Sequence, residues 1–261
     1  FIGIDEEGGD VVRMAEKLTP PPSQKEIGAT GDIEQAKTWA IKTAKSLKDM
    51  GINVNFAPVA DVGSNDKRSY STDTNTVIDF VRAATKGYQQ ENIIYSLKHF
   101  PGIGKGRVDS HVDSSSIDVA KEVLMTEDII PFKTIIDEND PNDYFILVSH
   151  LKYPALDEEY PASLSSKIMT DLLRNELGYK GIIITDDMEM GAVANHNDFR
   201  SIGVKAVKAG VDIVLVCHEY EHQQEVYLGL LDAVNSGEIS QERIDESVKR
   251  IIKVKLLHLY Q

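Results

Sequence analysis

Residues 98–115, KHFPGIGKGRVDSHVDSS, leave an apolar run, pass glycines at 102, 104 and 106, and place Asp109 and His111 two residues apart. In an extended segment residues i and i+2 point the same way, so the Asp109 carboxylate can orient the His111 imidazole and favour its protonated form. That is the equipment of a general acid. A loop Asp and His that only meet solvent or cap a turn would show the same spacing. The glycines do not keep the GxGxxG phosphate-binding spacing and no helix pattern follows them directly, so they read as freedom of movement for the histidine. A second candidate, IIITDDMEM, sets Asp186 and Asp187 where a buried β run ends. Of two consecutive strand residues one faces inward and one outward, so one of the pair can reach a substrate; a helix N-cap or a surface pair is the alternative. Together, Asp186 and His111 would supply a nucleophile and an acid/base for cleaving a glycosidic bond. Most retaining glycosidases use two carboxylates for this. An Asp-assisted imidazole in place of one can protonate the leaving oxygen and then deprotonate water.

A competing pattern is HEYEH, His218 to His222, which satisfies the HExxH zinc-hydrolase motif. His218 directly follows the strand-like VDIVLVC, so the pentapeptide is expected to straddle a strand-to-helix turn rather than lie on one helix face. No HxxGxxH extension follows, and Glu225, Glu238 and Glu242 are only generic third ligands. The expectation is no metal and no organic cofactor.

Six β-rich runs could position these groups: FIGID, VNFAPVAD, IIYSLKHF, YFILVSHL, GIIITDD and VDIVLVCHE. Helix-period stretches at 32–50, 76–92, 165–177, 222–235 and 241–258 alternate with or follow them. Repeated βα order argues for a parallel sheet, because parallel strands need crossover connections. Every run ends on polar or ionisable side chains: Asp5 and Glu6, Asp61, Lys98 and His99, Ser149 and His150, Asp186 and Asp187, His218 and Glu219. In a (β/α)₈ TIM-like barrel all strand C-termini meet on one face, so these endings would surround one site. An open doubly wound sheet would use mainly those at its switch point. The fold expected is therefore the α/β barrel, a single domain over 1–261. Only six of eight units are visible, so the barrel is either irregular or lacks N-terminal βα units that would precede Phe1.

The 28 Lys and Arg against 42 Asp and Glu give a formal charge of −14 with no basic stripe, which argues against nucleic acid as a partner. No apolar run approaches the ~20 residues of a membrane span. Cys217 stands alone, so neither an internal disulfide nor a thiolate metal cage can form. The start on Phe1, with no initiator Met or visible signal segment, suggests that the original N-terminus has been removed. Bacterial cytoplasm and cell envelope both remain open, as does the oligomeric state.

The segments IDEEGGDVVRM, PVADV, KHFPGIGKGRVDSH, YPASLSS, LGYKGIIITDDMEMGAV and KAGVDIVLV resemble, in order and over nearly the whole chain, the β-N-acetylglucosaminidases of glycoside hydrolase family 3. The resemblance implies a (β/α)₈-like barrel that removes a terminal β-linked N-acetylglucosamine with retention, from peptidoglycan fragments or chitooligosaccharides. It implies Asp186 as nucleophile, His111 as mobile acid/base and Asp109 as its partner. It further implies sugar contacts from Asp5, Arg13, Arg68, Lys98 and His99; salt bridges across a barrel mouth would explain each of these singly. Four features depart from the family pattern: Ile103 and Lys105 in the glycine loop, Asp10 after EGG, and the Ser114–Ser116 stretch after the DSH triplet. None removes a catalytic group. A phosphorylase using the same residues, a barrel that only binds glycans, and a zinc peptidase are the other readings.

Overall fold

The computed structural model describes residues 1–63, 67–106 and 116–260. Its main sheet runs β1 (Gly3–Ile4), β2 (Val54–Asn55), β3 (Ile94–Phe100), β4 (Tyr144–Val148), β7 (Ile182–Asp187) and β8 (Ile213–Leu215), in that spatial order. Every neighbouring pair is parallel. A two-stranded hairpin, β5 (Lys152–Tyr153) and β6 (Asp157–Pro161), leaves the sheet after β4. Helices α1 (Gln24–Ala29), α2 (Ile33–Asp49), α3 (Thr74–Gln90), α4 (Lys121–Val123), α5 (Ile130–Glu138), α6 (Gly191–Ala194), α7 (Phe199–Ala209), α8 (Tyr220–Asn235) and α9 (Gln241–His258) follow in chain order. Spatial order equals chain order without reversal, so there is no switch point, and the strands curve into a half-barrel.

Local sequence explains most element boundaries. Asp32, Asp73, Asp198 and Ser240 cap α2, α3, α7 and α9 through side-chain oxygens, and Ser23 and Glu26 form a reciprocal capping box on α1. The crossover expected as a helix over 165–177 is a π-type segment, Lys167–Glu176, which closes with Leu177 N–H on the Leu172 carbonyl. The first two strands are two residues each, much shorter than the apolar runs that contain them.

Side chains alternate strictly between two cores. Tyr95, Leu97, Tyr144, Ile146 and Ile183 pack outward against the helices. Val54, Ile94, Phe145, Leu147, Ile182 and Ile184 form the inner cluster with Ile251 and Val254 of α9. That last helix crosses the N-terminal ends of the strands. Asp212, fully buried just before β8, accepts hydrogen bonds from Arg174 Nη2 (2.5 Å), Ser247 Oγ (2.6 Å) and Arg250 Nη1 (3.0 Å). At the other end of α9, His258 reaches Asn92 and the Asn142 carbonyl, ahead of β3 and β4. With α9 under one end of the half-barrel, the polar strand endings share the opposite end.

Removing one member of a buried ion pair strands the others at a cost of about 3–5 kcal/mol. Asp212→Ala is expected to lose about that much stability in urea unfolding; a loss under about 1 kcal/mol would show that α9 is held by its apolar contacts alone.

Candidate active site

The residues at the C-terminal strand ends are tied together by charge. Lys98 lies on the inward row of β3 with Ile94 and Ser96 and is 2 % exposed. Its ammonium contacts Asp5 Oδ1 at 2.5 Å and also Glu7 Oε1. Burial alone would lower the lysine's pKa, but Glu7 and Asp5 reverse the shift and hold it above its ordinary value. Glu7 is equally buried and receives a two-point contact from Arg68, Nε to Oε2 at 2.9 Å and Nη2 to Oε1 at 2.8 Å. Burial would raise the Glu7 pKa; Lys98 and Arg68 outweigh it and bring the carboxyl down to about 2.

His99 extends the network. Its Nδ1 lies 2.8 Å from Asp61 Oδ2, and its Nε2 lies 3.0 Å from Arg68 Nη2. A guanidinium cannot accept, so Nε2 accepts and Nδ1 donates, which fixes the tautomer through its partners. Asp61 is itself held by the backbone N–H groups of His99 (3.1 Å) and Ile103 (2.9 Å).

The turn after β1 is shaped by Glu6, whose Oε2 accepts from the backbone of Arg13 (2.8 Å) and Met14 (3.1 Å). Gly8 sits at φ +104°, and a Cβ there would lie 2.4 Å from the Pro22 carbonyl oxygen, so no larger residue fits. This turn fixes the Arg13 backbone; the Arg13 side chain is exposed and makes no ion pair among the described residues.

Asp186 continues the inward row of Ile182 and Ile184 at the end of β7. Burial would raise its pKa, but Lys98, the Asp187 N–H and, whenever they carry a second proton, His99 and His150 outweigh it, and the carboxyl stays below its ordinary value. That shift favours its ionised form beside Lys98. His150 is buried behind it, donating from Nε2 to the Asp187 carbonyl at 2.9 Å and accepting at Nδ1 from Ser163 Oγ at 2.8 Å. Burial lowers its pKa despite the neighbouring aspartates.

Of the residues singled out by spacing or implied by the family resemblance, Asp5, Lys98, His99, Arg68 and Asp186 meet around one mouth, whereas Arg13 stands at its edge. Asp109 and His111 lie outside the described residues. Their segment leaves the described structure after Gly106; just before it, Lys105 bonds Asp128 Oδ2 at 2.5 Å. It re-enters at Ser116, which pairs with Lys152. Glu7 and the supporting roles of Asp61 and His150 were missed; only their places at or just after strand ends hinted at them.

HEYEH does not lie on one helix: α8 starts at Tyr220, His218 precedes it, and His222 bonds Glu189 at 2.7 Å. Asp187, Glu189 and His218 bring ligand-type atoms within 4.8 Å of one another, so they are the group that could hold a metal among the described residues. Glu189 is already occupied by the backbone N–H of Glu219 (2.8 Å) and of His218 at the start of α8.

Residues 1–254 match the family described as Glycosyl hydrolase family 3 N terminal domain. The chain is 35% identical to Beta-hexosaminidase A of Pseudoalteromonas piscicida over 98% of this chain and 47% of that protein. Against Beta-hexosaminidase of Nitrosomonas eutropha it is 30% identical, over 95% of this chain and 74% of the relative. The solved structure of a glycoside hydrolase family 3 beta-N-acetylglucosaminidase from Paenibacillus sp. str. FPU-7 superposes with a TM-score of 0.94 at 37% identity, over 98% of this chain and 49% of that one. The chain thus spans about half the length of two of these relatives.

The depressed Glu7 pKa has a definite pH signature. Its stabilisation is complete above its ordinary value of 4.5 and is lost as pH falls towards about 2. Glu7→Gln should therefore be less stable than the parent at pH 7, with the gap closing between pH 4.5 and 2 in denaturant titrations; a gap independent of pH would mean that Glu7 contributes no charge pairing.

Proposed function

The chain belongs to glycosyl hydrolase family 3, and we propose that it carries the catalytic machinery of a retaining β-N-acetylglucosaminidase. The natural substrates in this reading are peptidoglycan fragments or chitooligosaccharides with a terminal N-acetylglucosamine. The observation that carries it is the place of Asp186 at the C-terminal end of β7, on the inward row and at the same mouth as the Asp5–Lys98–Glu7–Arg68 cluster. The printed names of the relatives agree with a hexosaminidase.

In this mechanism an Asp186 oxygen donates an electron pair to the anomeric carbon as the glycosidic C–O bond breaks, and His111, oriented by Asp109, delivers its proton to the departing oxygen. The neutral imidazole then takes a proton from water, whose oxygen attacks the same carbon and expels the Asp186 carboxylate. Two displacements return the β configuration. Asp5 accepts from sugar hydroxyls while Lys98, Arg68 and Arg13 donate to them, and His99 holds Arg68 in place. The pairing among these groups sets their positions before the sugar arrives, so little of the binding energy goes into ordering them.

On a chromogenic β-N-acetylglucosaminide, Asp186→Asn should lower kcat by roughly 10⁴-fold or more, and proton NMR should show the β-anomer released first. Retained turnover in the variant, or first release of the α-anomer, would sink the assignment. His111→Ala should lose about 10²–10⁴-fold on an unactivated disaccharide but far less on a dinitrophenyl glycoside, whose leaving group needs no proton. Equal losses on both would deny His111 the acid role. Repeating the assay in phosphate and looking for sugar 1-phosphate separates hydrolysis from phosphorolysis.

A further inference from the structure

Beside the mouth lies a cavity of about 220 Å³ between the β5–β6 hairpin and the short α6. We propose that this cavity is the aglycone-side subsite, seating the second pyranose ring of the substrate; the inference rests on the glycosidase reading above.

Three observations carry it. The first is position. The hairpin leaves β4 two residues after His150, which is bonded to the Asp187 carbonyl, next to Asp186. It returns through Pro161 to Ala162, whose N–H bonds the Leu151 carbonyl at 2.9 Å, and Ser163, whose N–H bonds the Ser149 carbonyl at 3.2 Å and whose hydroxyl bonds His150. The cavity wall is therefore fastened to the ends of β4 and β7, on the strand face where Asp186 lies. The second is its relation to the glycine loop: at Ser116 the chain rejoins the described structure on the cavity wall, with Ile117 N–H donating to the Lys152 carbonyl at 2.8 Å.

The third is chemistry. Pro161 and Leu164 give an apolar floor, and Lys152, Glu159 and His196 give polar walls. Tyr160, also lining the cavity, is 40 % exposed, next in sequence to Glu159. An exposed aromatic face ringed by donors and acceptors suits a sugar, which has an apolar face and a hydroxylated rim. Lys152 makes no ion pair among the described residues, which leaves its ammonium to a ring substituent. The volume is below the ~300–1,000 Å³ of pockets that enclose a drug-sized ligand and suits a single ring.

The test compares N,N′-diacetylchitobiose with N-acetylglucosaminyl fluoride, whose leaving group has no second ring. Tyr160→Ala and Lys152→Met should each lower the disaccharide-to-fluoride ratio of kcat/KM at least tenfold, mainly through a higher KM for the disaccharide. Both substrates falling together, or neither, would overturn the subsite. A readout independent of turnover uses Asp186→Asn and saturation-transfer NMR with chitobiose. Adding Tyr160→Ala should erase contacts of the reducing-end ring and keep those of the non-reducing ring. Unchanged reducing-end contacts, or no binding of either ring, would overturn the proposal. If the parent protein cleaves neither substrate but Asp186→Asn shows the expected NMR pattern, the glycosidase reading fails while the sugar subsite stands.

Discussion

A single ammonium group, that of Lys98, sets the terms for the rest of the mouth. Withdrawing a cation from water costs several kcal/mol, repaid only where opposite charge and hydrogen-bond partners are close and well aimed. Asp5 and Glu7 supply that charge from the turn after β1, more than ninety positions away in sequence. The burial of Glu7 then requires Arg68, and Arg68 in turn has to be received by His99, whose other nitrogen is held by Asp61. Each group is affordable only because the next is present, so β1, the 67–70 turn and β3 are locked into one arrangement. Removing Glu7 costs most, because it leaves Lys98 with Asp5 alone and takes from Arg68 its two-point partner.

Asp186 draws on this arrangement without making an ion pair within it. Partial withdrawal from water would ordinarily push a carboxylate towards its protonated form. Here Lys98 and the Asp187 N–H, joined by His99 and His150 whenever these are protonated, favour its ionised form, while its position on the inward row of β7 faces it toward the mouth. Lys98 and Arg68 are matched at this mouth by Asp5, Glu7 and Asp61, so the site carries no excess of positive charge within an acidic protein. A neutral hydroxylated ligand would be read there by directed hydrogen bonds rather than by net attraction.

Much of this was legible in the residues. The six apolar runs correspond to the six strands of the main sheet, and their polar endings do gather at one end, because period-two burial and crossover connections leave few other topologies. The expected break of HEYEH at a strand-to-helix turn also stands, since His218 follows β8 too closely to be helical. What could not be read has a common cause: it depends on partners distant in sequence. Glu7 in EEGG looks no different from Glu6, yet one binds a lysine and an arginine and the other the backbone of its own turn. The π-type geometry over 167–176, the β5–β6 hairpin hidden in a Pro- and Glu-rich stretch, and the passage of α9 beneath the strands leave no mark in local periodicity. The contacts of Asp109 and His111 lie outside the described residues.

In the proposed mechanism the Asp186 carboxylate attacks an anomeric carbon and is covalently glycosylated in passing. Incubation with an N-acetylglucosaminyl fluoride carrying a second, deactivating ring fluorine should slow the release of that intermediate enough for intact-mass analysis and peptide mapping. The account predicts a mass increase of one sugar residue, mapped to Asp186. A protein that consumes the reagent without ever gaining mass, or that carries the sugar on another side chain, would contradict it.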